Sequence, residues 1–264
     1  MIPDYLPQNI LPFLKGRTYS WDETGLSAAK VLCFEDMVLK VEETSATSEN
    51  EYRFMRWLEG KLPVPKVIAF ARQEGKNYLL MSRIEGEMLC APTLMERPKE
   101  LVRLAAEGLR MLWNVDISDC PVQSQLDLKL EKAAHAVKHG LVDVDAVEPD
   151  TFGENGFSSP EALLAWLYEN RPQEEPVFSH GDFCLPNIFE KNGRISGFID
   201  LGNCGAGDRY QDIALCLRSL RHNYEGRFGG RVYKGFSPEM LLEALGMKPD
   251  WKKIRYYTLL DELL

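Results

Sequence analysis

The sequence predicts an α+β protein with two lobes, a small one built on an antiparallel β-sheet and a larger one that is mostly helical. Between Arg17 and Gly86, short apolar segments bounded by turns surround one helical segment, a pattern typical of a small sheet. Beyond Pro98, apolar residues recur at the spacing of buried helices. The length of 264 residues is compatible with one large domain or with two lobes, because single cores stop growing near about 250 to 300 residues.

Five strands and one helix are expected in the smaller lobe. The strands are Arg17–Glu23, Val31–Phe34, Met37–Val41, Lys66–Ala71 and Tyr78–Met81, and the helix runs from Thr47 to Gly60. Lys40 lies in an apolar strand, where a lysine must reach solvent or a polar partner. The helix offers Glu51 as that partner, with Glu49 and Glu59 as alternatives. A Lys/Glu pair of this kind positions nucleotide phosphates in phosphoryl-transfer enzymes.

A loop of small residues, 24–30, follows the first strand and contains Ser27. Its backbone N–H groups and the Ser27 hydroxyl are suited to contact phosphate oxygens. Loops of this composition are common between strands, and the segment lacks the glycine repeat of protein kinases. The loop alone therefore does not indicate a nucleotide site.

Helices are expected throughout the larger lobe. They are Pro98–Val115, Asp127–His139, Pro160–Asn170, Asp208–His222, Pro238–Leu245 and Pro249–Leu264. Three of them begin with proline, which suits the first turn because its missing N–H has no partner there in any case. Ser159 and Ser237 precede two of these prolines and are candidate N-caps.

Three polar residues point to the chemistry. Asp182 and Asn187 are five positions apart, and Asp200 follows a short apolar strand. In phosphoryl transfer, the first carboxylate accepts a proton from the substrate hydroxyl, and the amide and second carboxylate bind magnesium. Mg²⁺ prefers oxygen ligands and takes only one or two carboxylates. A simple turn explains His180–Asp182 alone, but the whole set predicts Asp182 as catalytic and Asn187 and Asp200 as metal ligands.

The two metal-ligand candidates are joined by a predicted hairpin. Apolar-rich segments lie on both sides of Asn192-Gly193, a strong signal for a two-residue hairpin turn. Because this turn returns the second strand beside the first, Asn187 and Asp200 are expected to converge.

Four segments carry a resemblance to a known family. They are Val177–Asp182, Asp200–Ala214, Trp57–Val67 and Leu259–Leu264. In these segments, and over nearly the whole chain, the sequence resembles the aminoglycoside 3'-phosphotransferases. The resemblance implies a protein-kinase-like fold, Mg²⁺ as cofactor, and transfer of the γ-phosphoryl group of ATP or GTP to a hydroxyl, the 3' hydroxyl, of an aminoglycoside. Antibiotic resistance would be the result.

The resemblance also implies a function for each lobe. Residues 1–86 would form the nucleotide-binding lobe and residues 87–264 the catalytic and substrate-binding lobe. A hinge at about 82–86 would present backbone groups of Ser82 and Ile84 to the base, and Glu51 matches the position of the lysine's partner.

Acidic residues are the candidates for substrate binding. The candidate residues are Asp145, Glu148, Asp150, Asp261, Glu262 and the terminal carboxylate of Leu264. A solvated acidic surface is the ordinary explanation of such a cluster. The resemblance favours a binding role, because the family binds polyamine sugars through an acidic loop and its C-terminus. Carboxylates form charge-assisted hydrogen bonds with ammonium groups.

Three positions depart from the family pattern. Val38 occupies the place of an aromatic residue that stacks on the base, which leaves the choice between ATP and GTP open. Asn203 replaces an arginine after the metal-binding segment, and His222 stands where a close relative has an acidic residue. These two changes bear on which aminoglycosides are accepted.

Composition limits the partners. A net charge of −9 and a pI near 5.1 argue against nucleic acid or an anionic membrane and favour a cationic small molecule. The N-terminal sequence lacks a signal peptide pattern, and the six scattered cysteines form no Cys-x-x-Cys pair. A cytoplasmic protein is therefore expected. A monomer or weak dimer is also expected. Two alternatives stay open: a kinase of a choline-like or homoserine-like substrate, and a catalytically silent binding protein with this fold.

Overall fold

A computed structural model describes residues 6–21, 29–123, 125–145, 147–154, 156–227 and 230–264. The chain divides into two compact units, Met1–Met88 with Asn187–Cys204, and Leu89–Pro186 with Gly205–Leu264. The expected boundary at residue 86 lies two residues before the end of the first segment. The segment 187–204 groups with the first unit, although the sequence suggested a single second lobe from 87 to 264.

In chain order the elements are α1 (Leu11–Leu14), β1 (Ser20–Trp21), β2 (Lys30–Cys33), β3 (Met37–Glu43), α2 (Ala46–Leu58), β4 (Val67–Gln73), β5 (Lys76–Ser82), β6 (Glu87–Met88), α3 (Pro92–Met95), α4 (Pro98–Trp113), α5 (Gln125–Lys138), α6 (Pro160–Glu169), β7 (Pro176–Ser179), β8 (Ile188–Lys191), β9 (Arg194–Phe198), β10 (Gly205–Asp208), α7 (Arg209–Glu225), α8 (Pro238–Leu245) and α9 (Trp251–Asp261). None of the described helices is both long and apolar enough to cross a bilayer.

The first unit contains the expected five-stranded antiparallel sheet, in the order β1-β2-β3-β5-β4. Side chains alternate across β3, so Met37 and Leu39 are buried in the core while Val38 and Lys40 lie on the other face. Helix α2 begins at Ser45, whose hydroxyl accepts a hydrogen bond from the Ser48 N–H at 3.1 Å. A cap of this kind contributes about 1 kcal/mol.

A second sheet, β6-β8-β9, joins the hairpin to the first unit. Asn192 and Gly193 form its turn with φ of 55° and 74°, as a two-residue hairpin turn requires. Gly86 precedes β6 with φ of 116°, and a Cβ there would lie 2.0 Å from the Glu190 carbonyl oxygen. This close approach explains the glycine and shows how the chain before β6 packs on β8.

The second unit is mainly helical. The apolar face of α4 is buried, including Leu101, Leu104, Leu109 and Leu112, as its spacing predicted. Ser159 caps α6 by accepting a hydrogen bond from the backbone N–H of the third helical residue at 3.3 Å. The sequence did not predict the antiparallel pair of β7 and β10, because these four-residue segments are too short to show alternation.

Candidate active site

The first unit brings together the lysine and two carboxylates. The Lys40 Nζ lies 2.7 Å from Glu51 Oε2 and 3.1 Å from Asp200 Oδ1. The Glu51 side chain is 3% exposed and that of Asp200 is 46% exposed, so the cluster runs from the interior to solvent. Glu49 pairs instead with Arg72 at 2.8 Å. The ion pair expected between Lys40 and Glu51 is therefore present.

The carboxylates around Lys40 shift its pKa and that of Glu51. Burial alone would lower the pKa of Lys40, but attraction from Glu51, Asp200 and Glu42 outweighs it and raises this pKa above its ordinary value. Burial also raises the pKa of Glu51, and repulsion from Asp200 and Glu42 acts in the same direction, while Lys40 opposes the change. Lys40 is therefore a fixed cation at neutral pH, with the exposed Asp200 carboxylate beside it.

Backbone geometry places Asp200 near Asn187. The N–H of Ile199 donates to the Asn187 carbonyl at 3.0 Å, and Asp200 has left-handed φ and ψ of 61° and 58°. This conformation costs a residue with a Cβ roughly 1–2 kcal/mol. At Gly202 a Cβ would lie 2.6 Å from Thr47 Cγ2 on helix α2, which explains the glycine two residues after Asp200. One carboxylate and one amide oxygen on neighbouring backbone suit a magnesium ion.

The hinge residues have partners within the first unit. The Ser82 N–H donates to the Lys66 carbonyl at 2.9 Å, and the Ser82 hydroxyl accepts from the Lys66 N–H at 2.9 Å. Ile84 packs against Gly197, where a Cβ would lie 2.5 Å from Ile84 Cγ2. Contact of Ser82 and Ile84 with a nucleotide base stays a prediction. Ser27, the phosphate-loop candidate, lies outside the described residues.

In the second unit, a buried aspartate organises the loop that carries Asp182. The Asp212 carboxylate accepts hydrogen bonds from the backbone N–H groups of His180 at 2.8 Å and Gly181 at 2.9 Å. The Asp182 N–H in turn donates to His180 Nδ1 at 3.3 Å. Asp212 and His180 are fully buried. Sequence reasoning did not single out Asp212, although it lies in the segment 200–214 that carried the resemblance.

The Asp182 side chain contacts a cysteine. The Cys184 thiol donates to Asp182 Oδ1 at 2.9 Å. Burial, with the charge of Asp182 adding to it, raises the pKa of this thiol well above its usual range. Cys184 is therefore a neutral hydrogen-bond donor rather than a nucleophile.

A buried lysine was also missed by sequence reasoning. The Lys129 ammonium group donates to the Gly181 carbonyl at 3.0 Å and lies 3.6 Å from Asp261 Oδ1. Arg218 forms an ion pair with the other oxygen of Asp261. Burial would raise the pKa of Asp261, but Lys129 and Arg218 outweigh it and lower this pKa.

Glu148 contacts two arginines and a histidine. Its carboxylate is 2.5 Å from Arg221, 2.5 Å from His222 and 3.0 Å from Arg227. Burial would raise the pKa of Glu148, but the His222 hydrogen bond and the two arginine charges lower it to about 2. Glu262 accepts hydrogen bonds from the Thr151 hydroxyl and the Glu148 N–H.

The predicted substrate residues thus differ in their surroundings. Asp261, Glu148 and Glu262 already have partners within the second unit, and Asp150 pairs with Arg255 at 3.3 Å. Asp145 and the C-terminal Leu264 are exposed. An ammonium group of a substrate would have to compete with the existing partners of these four carboxylates. The role of all six residues in substrate binding stays a prediction.

Comparison with known sequences gives the family. Residues 23–257 match the phosphotransferase enzyme family. An aminoglycoside 3'-phosphotransferase of Enterococcus faecalis is 42% identical over 255 residues, and one of Staphylococcus aureus is 41% identical over 254 residues. Each alignment covers 92% of this chain and 92% of the relative.

Solved structures agree with the sequence relatives. An aminoglycoside 3'-phosphotransferase of type VIII superposes with a TM-score of 0.77 at 28% identity, covering 97% of this chain and 98% of the other. The aminoglycoside phosphotransferase APH(3'')-Id of Streptomyces rimosus, in complex with ADP and streptomycin, gives 0.77 at 26% identity over 96% of both chains. The predicted fold and the resemblance noted from the sequence are both confirmed. The chain belongs to the aminoglycoside 3'-phosphotransferase family of phosphotransferase enzymes.

Proposed function

We propose that this phosphotransferase moves the γ-phosphoryl group of ATP or GTP to the 3' hydroxyl of an aminoglycoside and thereby inactivates the antibiotic. The names of the relatives in Enterococcus faecalis and Staphylococcus aureus support the acceptor and the position. The ADP complex of the Streptomyces rimosus enzyme supports a nucleotide donor. The observation that carries the proposal is the buried Lys40–Glu51 pair beside the exposed Asp200 carboxylate.

In the nucleotide-binding role, Lys40 neutralises the α- and β-phosphates and Glu51 holds its ammonium group in place. Lys40 also contacts one oxygen of the Asp200 carboxylate, Oδ1. Ser27 is proposed to contact phosphate oxygens, and the backbone of Ser82 and Ile84 to meet the base. This assigns nucleotide binding to residues 1–86 and catalysis to 87–264, with Asn187 and Asp200 added to the nucleotide side.

Magnesium fits the donor set of Asn187 and Asp200, which supplies one amide and one carboxylate oxygen. When bound, the metal would neutralise charge on the transferring phosphates. The protein's own task is to keep both side chains on adjacent backbone, which the Ile199 to Asn187 hydrogen bond supports.

Asp182 is proposed to accept a hydrogen bond, and then the proton, from the acceptor hydroxyl. The Cys184 thiol donates to one of its oxygens and so helps to hold the carboxylate in place. Most of the rate enhancement would come from positioning and charge stabilisation rather than from covalent chemistry.

The acceptor is proposed to be held by acidic side chains, above all the exposed Asp145, together with Asp150, Asp261, Glu262, Glu148 and the Leu264 carboxylate. The proposal includes a cytoplasmic setting, where nucleoside triphosphates are available, and a monomer or weak dimer.

The test is an assay of the purified protein with ATP or GTP, magnesium and a panel of kanamycin- and neomycin-like acceptors, with the product's phosphate located by NMR. Asp182→Asn should lower kcat at least about 10²-fold and leave nucleotide binding unchanged. The exposed Asp119 offers a matched control, and Asp119→Asn should behave like the parent. Phosphorylation of a simple amino alcohol but no aminoglycoside would overturn the acceptor assignment.

A further inference from the structure

Lys129 is a buried cation close to the loop that carries Asp182. It lies on α5 with a side chain 8% exposed. Burying an ammonium group costs several kcal/mol unless it finds strong partners. Its two partners are the Gly181 carbonyl and the Asp261 carboxylate, which come from the loop and from the last residue of α9.

The Gly181 contact fixes one particular peptide plane. The carbonyl of Gly181 and the N–H of Asp182 belong to the same peptide group. Lys129 holds the oxygen at 3.0 Å, and His180 Nδ1 accepts the N–H at 3.3 Å. Gly181 itself has φ of 80°, and a glycine leaves the plane free to rotate unless outside groups hold it. Two side chains therefore hold the peptide that leads directly into Asp182.

The Asp261 contact ties this peptide to the C-terminal helix. The Asp261 carboxylate bridges Lys129 and Arg218, which lies on α7. A displacement of α9 would shift the Lys129 ammonium group, and the Gly181 carbonyl would follow it. The partly exposed Asp261 carboxylate therefore has two cationic partners within the second unit.

We propose that Lys129 is a positioning residue for phosphoryl transfer: it orients the Gly181–Asp182 peptide and makes that orientation depend on Asp261 at the end of α9. The inference rests on the proposed role of Asp182 as acceptor of the hydroxyl proton. Lys129 touches neither substrate nor nucleotide in this role. It acts by keeping the Asp182 carboxylate where the acceptor hydroxyl arrives.

The test compares Lys129→Met and Lys129→Arg with Lys132→Met, an exposed lysine on the same helix. Misplacing a reacting group by about 1 Å can cost about 10²-fold in rate. Lys129→Met should therefore lower kcat by about 10- to 100-fold with the nucleotide KM within about twofold of the parent. Lys129→Arg, which keeps the charge and donors, should recover most of kcat, and Lys132→Met should match the parent.

Asp261→Asn separates positioning from substrate binding. A positioning role predicts a lower kcat, and it predicts that Lys129→Met adds little to Asp261→Asn because both break one network. Loss of the proposed contact between Asp261 and the acceptor raises the acceptor KM and by itself leaves kcat unchanged, so kcat is the readout of positioning. The inference is overturned by an Asp261→Asn variant with the kcat of the parent, by a Lys129→Met variant with kcat within twofold of the parent, or by Lys129→Arg losing as much as Lys129→Met.

Hydrogen exchange tests the same contact without any acceptor. Amides in the segment 177–186 should exchange faster in Lys129→Met than in the parent or in Lys132→Met, and unchanged exchange contradicts the inference. If the parent phosphorylates no aminoglycoside, the proposed function fails, yet this measurement still decides whether Lys129 holds the loop. Should Lys129→Met fail to fold, Asp261→Asn, which removes the carboxylate charge that pairs with Lys129, gives the same comparison.

Discussion

Replacing Glu148 with glutamine should make the stability of the protein less dependent on pH. The Glu148 carboxylate is 8% exposed and contacts Arg221, His222 and Arg227. Glutamine keeps the shape but removes the charge on which these three contacts depend. The loss should appear as a lower free energy of unfolding at neutral pH.

The magnitude follows from the pKa. Burial would raise the pKa of Glu148, but the His222 hydrogen bond and the charges of Arg221 and Arg227 outweigh it and lower this pKa from 4.5 to about 2. Each unit of difference in pKa corresponds to about 1.4 kcal/mol. The upper limit is therefore about 3.5 kcal/mol. Arg221 and Arg227 are 44% and 32% exposed, so solvent screening reduces the expected contribution to about 1–2 kcal/mol.

Because folding lowers the pKa of Glu148, its stabilising contribution should decrease as the pH falls. A carboxyl group whose pKa is lowered by folding stabilises the folded state above the unfolded-state value near 4.5 and loses this contribution as the pH falls toward 2. The gap between parent and Glu148→Gln should thus be about 1–2 kcal/mol at pH 7 and close to zero near pH 2.

Urea unfolding of parent and variant at a series of pH values measures this gap. Glu131→Gln, at an exposed glutamate of α5, serves as control and should show little change at any pH. A gap that stays constant between pH 7 and pH 3, or a variant as stable as the parent at pH 7, would refute the reasoning.

Three further results are expected. Asp200→Ala should abolish magnesium-dependent nucleotide binding in titration calorimetry, and equal affinity with magnesium present would contradict the metal role. Gly86→Ala should lower the melting temperature by several degrees, because its Cβ would lie 2.0 Å from the Glu190 carbonyl oxygen at a φ of 116°; an unchanged melting temperature would count against the packing described. Asp145→Asn should raise the acceptor KM and spare the nucleotide KM, an effect that added salt should weaken. Equal acceptor KM in variant and parent would remove Asp145 from the site.

Local signals in the sequence predicted much of the first unit. The turn at Asn192-Gly193 and the alternation around Lys40 depend on neighbouring residues only, and both are present in the structure. The partner of Lys40 was harder to predict, because Glu49 and Glu51 lie on the same helix. Only the packing of α2 decides which of the two reaches the lysine.

Contacts between distant residues escaped prediction. Asp212 lies 32 positions from His180, and Lys129 lies 52 positions from Gly181. No helical or strand periodicity in the sequence links residues that far apart. Both residues also hold backbone groups, which leave no side-chain pattern at the loop itself. The grouping of 187–204 with the first unit likewise depends on the pairing of β6 with β8, about 100 residues away in the chain.

That discontinuous first unit has a consequence for synthesis on the ribosome. Lys40 and Asp200 are 160 residues apart in the chain. At a translation rate of about 5–20 residues per second, Asp200 is therefore synthesised roughly 8–30 s after Lys40. Until then the nascent sheet has neither β8 nor β9, and the edge of β6 has no partner there. We therefore expect the five-stranded sheet to form early, and the nucleotide-binding cluster to be completed only after most of the chain has been translated.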